Sequence, residues 1–190
     1  MTEEEVTTVV LDNGAGFIRA GFAGDDAPRS IIRSVVGRPR VPGIMVGLDS
    51  SDVYAGQDAL DKSGVLKLAQ PIQAGRIANW DDMEKVWNHA LYTQLKVSPE
   101  EHPLCLSEAP LQDNKSREKI TEIMFEVFNV PAFYMGLQAV MSLYASGKTT
   151  GVVVDSGEGV SHTIPIYEGY AIPHGVQRVK ACGSDITKHL

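Results

Sequence analysis

Short apolar runs alternate with helically spaced apolar positions along the chain. Thr7, Thr8, Val9, Val10 and Leu11 form a β-branched run that ends at Asp12. The sequence then passes through Gly14-Ala15-Gly16 into a second run, Phe17–Phe22. Run, glycine turn, run predicts a β-hairpin. Residues 31–36 read as a third strand. From Gly37 to Gln70 the texture changes: Pro39, Pro42, Gly43, Gly47, Gly56 and Gly64 break any period. This stretch predicts a small excursion carrying a mobile loop over residues 40–52. Met83, Val86, Trp87, Ala90 and Leu91 then recur at helical spacing, with Asp81 and Asp82 expected as the N-terminal caps. A short strand is expected over residues 103–107, and a helix on Ile120, Ile123, Met124, Val127 and Phe128. Another strand is expected at 132–135, then a helix on Leu137, Val140, Met141 and Tyr144 that stops at Gly147. Alternating strands and helices imply an α/β layer with a mixed sheet.

The pattern then repeats itself. Val153-Val154-Asp155-Ser156-Gly157-Glu158-Gly159 matches Val10-Leu11-Asp12-Asn13-Gly14-Ala15-Gly16. Each copy is an apolar strand, an aspartate at its end, a small polar residue and Gly-x-Gly. Each is followed by a β-rich return arm, the second ending at a turn on Glu168-Gly169. A duplicated unit separated by this much chain predicts two lobes related by a pseudo-two-fold axis.

A Gly-x-Gly turn presents backbone N–H groups with no side chain in the way, which suits phosphate. Two such turns facing each other would clamp a polyphosphate. Asp12 and Asp155 beside it make chemical sense with a cation between them, most naturally hydrated Mg²⁺. Arg19, just beyond the first turn, is either a phosphate ligand or a solvated edge charge. Gln138 either orients a nucleophilic water or is a polar first-turn residue. His162 either assists proton removal or is a satisfied strand histidine.

Composition narrows the partners. The 190 residues are 43% apolar and 22% charged, so a packed core forms and wholesale disorder is excluded. With 17 basic and 24 acidic residues the net charge is −7, which argues against nucleic acid. Arg29, Arg33, Arg38 and Arg40 therefore read as a solvated or interface face. Cys105 and Cys182 have no metal-ligand spacing and read as buried thiols in a reducing compartment. The start, Met-Thr-Glu-Glu-Glu, is acidic where a secretory signal would be basic and then apolar. The uncharged run over residues 127–147 is long enough for a membrane span. Its Asn129, Pro131, Gly136 and Gln138 instead predict loop, strand and helix, with no span.

Several longer stretches carry a resemblance: residues 20–29, 36–39, 79–85, 100–103, 123–126, 138–140, 142–147 and 165–170. In these, and in register over the whole chain, the sequence resembles the actin family. The resemblance implies the actin/Hsp70/sugar-kinase ATPase fold, an α/β architecture with Mg-ATP or Mg-ADP in a cleft between two lobes. It implies a first-lobe core over residues 1–33 and 71–145, a small inserted subdomain over 34–70, and the start of a second lobe over 146–190. On that reading the first lobe is nearly complete and the second truncated, so the chain is a fragment or a shortened relative. It implies nucleotide-binding roles for Gly14, Ala15, Gly16, Phe17 and Arg19, and for Gly157, Glu158, Gly159 and Val160. Asp12 and Asp155 match the residues that organise the hydrated metal, and Gln138 and His162 those that position the attacking water. Arg40, Val41, Pro42, Gly43, Ile44, Met45, Val46, Gly47 and Leu48 match a loop that docks into a neighbouring filament subunit. Actin, actin-binding proteins and a chaperone are the implied partners, and the cytoplasmic cytoskeleton the implied location.

The sequence also departs from the family. Ala15 stands where a serine is usual, Arg19 for lysine, Glu158 for aspartate, Ala74 for histidine, Leu48 for methionine and Ser184 for arginine. Clustered around one phosphate site, these departures predict weak or absent ATP hydrolysis. The alternative is a non-catalytic, actin-like interaction module.

Overall fold

The computed structural model describes residues 6–40, 53–179 and 181–190. The chain opens with β1 (Val9–Asn13), β2 (Phe17–Phe22) and β3 (Ser30–Arg33), an antiparallel meander. In β1 the alternate residues Val9 and Leu11 are buried, as the period of two requires. The expected single strand over 31–36 is two strands. Ser34 N–H still donates to Gly16 O at 3.0 Å in the β2–β3 register, but Val35 N–H folds back to Arg33 O at 2.9 Å and turns the chain out of the sheet. The chain resumes as β4 (Val36–Pro39) in a separate sheet.

That second sheet is the framework of the small excursion expected over residues 37–70. β5 (Tyr54–Ala55) and β6 (Leu66–Ala69) flank β4, and α1 (Gln57–Asp61) connects them. A Cβ on Gly37 would press into Leu66 and Ala59, so this glycine allows strand and helix to close on each other. Val41, Pro42, Gly43, Ile44, Met45, Val46, Gly47 and Leu48 of the expected docking loop lie outside the described residues.

A two-stranded ribbon follows, β7 (Ile72–Gln73) with β8 (Arg76–Ile77), and then α2 (Trp80–Asn88). The cap of α2 is Asn79, not Asp81 or Asp82: its side-chain oxygen accepts from Asp82 N at 3.1 Å. Asp82 itself is buried and ion-pairs with Arg38, tying the small sheet to α2. The helix runs on as a π-helical stretch over His89–Leu95. Next come β9 (Leu104–Glu108), α3 (Asn114–Glu126), β10 (Phe133–Leu137) and α4 (Gln138–Ala145). Asp113 caps α3.

The main sheet has the order β10-β9-β1-β2-β3, with β10, β9 and β1 parallel. Its core packs Val9, Leu11, Ile18, Leu104 and Leu106 against Met83, Trp87, Ile123 and Met124. Parallel strands need helical crossovers, and α3 between β9 and β10 supplies one.

The repeat folds as a repeat. β11 (Gly151–Ser156) and β12 (Ser161–Tyr167) form an antiparallel hairpin like β1–β2. The registers correspond: Asp12 faces Arg19, and Asp155 faces His162. β13 (Tyr170–Ala171) and β14 (Gln177–Val179) complete this sheet, and α5 (Gly183–His189) follows. Glu168 and Gly169 both have positive φ, +48° and +84°, as a two-residue hairpin turn requires. A second core joins Ala139 and Leu143 of α4 to Ile164 and Ile166 of β12. The sequence reading groups α4 with the first lobe; its buried side chains pack on the second sheet. Among the described residues no helix is long and apolar enough to cross a membrane.

Candidate functional site

The carboxyl ends of parallel strands gather polar residues where the backbone ladder stops. Here β1 delivers Asp12, β9 delivers Ser107, and the end of β10 leads straight into Gln138. The three side chains bond one another. Ser107 Oγ donates to Asp12 Oδ1 at 2.6 Å, and Gln138 Nε2 donates to the same oxygen at 3.1 Å. Ser107 Oγ also accepts from Asn13 N at 2.8 Å and from Gln138 Nε2 at 3.1 Å. Arg19 Nη1 takes the other Asp12 oxygen, Oδ2, at 3.0 Å. Arg19 thus pairs with Asp12 across the β1–β2 hairpin, both side chains partly exposed.

This cluster forms one wall of a cavity of about 730 Å³ between the two hairpins. Asp12, Gly14, Ala15, Gly16, Phe17, Arg19 and Gln138 line it from one side. Asp155, Gly157, Glu158, Gly159, Val160 and His162 line it from the other. Every residue singled out from the repeat therefore meets at a single space. Arg40 does not: its guanidinium turns back to the small sheet, donating to Leu66 O at 3.0 Å and Ser63 O at 3.4 Å.

The two glycine turns touch. A Cβ on Gly16 would overlap the Glu158 carboxylate, and one on Gly159 would lie 2.9 Å from Ala15 Cβ. None of Gly14, Gly16, Gly157 and Gly159 has a positive φ. These glycines thus serve close approach rather than left-handed backbone. Gly157 N–H is used inside its own turn, donating to Val160 O at 3.1 Å. The N–H groups of Gly14, Ala15, Gly16, Glu158 and Gly159 have no acceptor among the described residues. Five unspent donors beside one cavity are a ready anion cradle.

His162 is 3% exposed, and its Nδ1 has no hydrogen-bond partner among the described residues. Burial lowers its pKa first, the Arg178 charge adds to this, and Asp155 opposes both. The ring is therefore neutral at pH 7 and able to accept a proton. The Asp155 carboxylate is held by no cation among the described residues. No cluster of three or more His, Cys, Asp or Glu side chains suited to a metal occurs among those residues. Two carboxylates without a cage fit a hydrated Mg²⁺ that takes its remaining ligands from water and phosphate.

Sequence reasoning missed several parts of this wall. Ser107 is buried and joins Asp12, Asn13 and Gln138, yet a lone serine at a strand end gives no pattern. Glu108, also buried, is gripped by Arg117 through two bonds of 2.6 and 3.0 Å. Gln112 donates to Gly75 O at 2.6 Å and Arg178 donates to Ala74 O, fixing a turn where Ala74 has φ +50°. Cys182 is buried as expected, whereas Cys105 is half-buried.

The actin family model matches residues 3–190. The chain belongs to the actin family. Its mixed α/β architecture is that of the actin-like ATPase fold.

Proposed function

We propose that this actin-family chain binds a nucleoside di- or triphosphate, ATP or ADP, with Mg²⁺ between its two glycine turns. One observation carries the reading: five backbone N–H groups without acceptors lie on two touching turns at one cavity, flanked by Asp12 and Asp155. Backbone donors of this kind hold phosphate oxygens and cost no reorganisation. Mg²⁺, when bound, neutralises charge on the terminal phosphates, and Asp12 and Asp155 would hold its hydration shell.

The protein's own groups suggest limited turnover. Gln138 Nε2 is engaged with Asp12 and Ser107, which leaves Oε1 to orient a water. Neutral His162 can take up a proton from that water, directly or through a second one. Against this, Ala15 supplies no hydroxyl, and Arg19 is drawn toward Asp12 rather than left free for phosphate. Binding with weak or absent hydrolysis is therefore the reading we favour, in a cytoskeletal setting with actin-type partners. The same cavity without turnover would serve a structural, interaction-module role.

Calorimetric titration with Mg-ATP, metal-free ATP, Mg-ADP and adenosine tests the reading. Binding of the three phosphate-bearing ligands, and much weaker binding of adenosine, is expected. Equal affinity for adenosine and ATP would overturn it. Phosphate release measured on the same sample separates a slow ATPase from a binding module.

A further inference from the structure

The second glycine turn does more than face the first. Phe17 and Arg33 are directly opposite in the β2–β3 pair, and the Arg33 guanidinium lies over the Phe17 ring, 4.1 Å from its centroid. Arg33 Nη1 lies 4.0 Å from Glu158 Oε2, on the opposite hairpin. The Glu158 carboxylate in turn occupies the space that a side chain on Gly16 would fill. Three residues from two lobes thus interlock where the turns meet.

From this arrangement we propose that Phe17, Arg33 and Glu158 form a clasp that holds the two phosphate-facing turns together. Each part has a physical task. The ring fixes the guanidinium by a cation–π contact and cross-strand packing, so little side-chain freedom remains to be lost when it meets Glu158. The bare Cα of Gly16 lets the carboxylate reach across. Arg33 also cancels a negative charge that would otherwise sit in a turn built to receive an anion. Arg33 and Glu158 are positioning residues: they act through the spacing of the turns. The clasp itself needs no nucleotide. Its consequence, slower release of a bound polyphosphate, rests on the function proposed above.

The test uses the ligand-free protein. Amide hydrogen exchange is followed at the bonded N–H groups that anchor the two turns, Ser34 (to Gly16 O) and Gly157 (to Val160 O), in the unmodified chain, Arg33→Gln, Glu158→Gln and the double variant, at low and high salt. Each single variant is expected to speed exchange in both turns by about two- to fivefold, the range of a half-exposed ion pair. The double variant should go no further than the singles, because either substitution alone opens the clasp. High salt should raise exchange in the unmodified chain and leave the variants unchanged. Glu158→Asp keeps the charge but shortens the reach, and is expected to behave like Glu158→Gln. Unchanged exchange in every variant, or single effects that simply add, would overturn the proposal. If a variant fails to fold, the salt response of the unmodified chain decides alone: its absence refutes the clasp. Because no nucleotide is present, a failure of Mg-ATP to bind would count against the proposed function and leave this result standing.

Discussion

At the scale of single residues, the site is a set of hydrogen bonds that few substitutions can leave intact. Ser107 is buried, and its hydroxyl serves Asp12, Asn13 and Gln138 together. Ser107→Ala strands Asn13 N–H and removes a donor from Asp12, and is expected to cost about 1–3 kcal/mol. Urea denaturation would show this as a lowered midpoint with an unchanged slope. Ala15→Ser restores a hydroxyl beside the proposed terminal phosphate. It is expected to raise ATP affinity relative to ADP by about three- to tenfold, the range of one hydrogen bond to a charged acceptor. Paired titrations with the two nucleotides would show no change in that ratio if the hydroxyl finds no phosphate. Two histidines set the pH response. Burial lowers the pKa of His89 and of His162 below 6.5. At a pH below that value the unfolded chain takes up protons that the folded chain refuses, so stability is expected to fall as pH drops through this range. Denaturation midpoints taken between pH 7.5 and 5.5 check the sign; a midpoint that rose on acidification would contradict it.

Among elements, those whose apolar positions keep a strict period were legible in the sequence. The β1–β2 and β11–β12 hairpins, α2, α3 and α4 all fall where alternation or helical spacing puts them. The small sheet was not, because β4 carries Gly37 and Pro39 and its partners are short. Its order comes from contacts distant in sequence, such as Arg38 on Asp82. The β3–β4 break was likewise hidden, since it depends on Val35 N–H folding back to Arg33 O. The glycine turns and their aspartates were readable because the pattern occurs twice. Ser107, Glu108 and Arg117 were not, because only the parallel register of β1 and β9 brings that strand end to the site. The second core is small: Ala139, Leu143, Ile164 and Ile166 carry its packing. Leu143→Ala is expected to cost about 2–5 kcal/mol and to loosen this sheet before the main one. Hydrogen exchange resolved by segment would show faster opening in β11 and β12 than in β1 and β9; uniform acceleration across both sheets would contradict it.

For the whole molecule, one face of the second sheet stands out. Ile164 and Ile166 are buried under α4, while Val152 and Val154 are 65% and 71% exposed. They project from β11, which pairs with β12 alone among the described residues. An apolar face on an unpaired strand edge favours association. The chain is expected to self-associate as concentration rises, and Val152→Thr with Val154→Lys to reduce it, as read by light scattering. Concentration-independent monomers of the unmodified chain would refute this. Nucleotide binding is also a property of the whole molecule, since both hairpins must hold one ligand. Amide nitrogen–proton spectra of the labelled protein, titrated with Mg-ATP, test it most directly. The signals of Gly14, Ala15 and Gly16 and those of Glu158 and Gly159 are expected to shift together, with one affinity. Shifts confined to one turn, or absent from both in the folded protein, would contradict it.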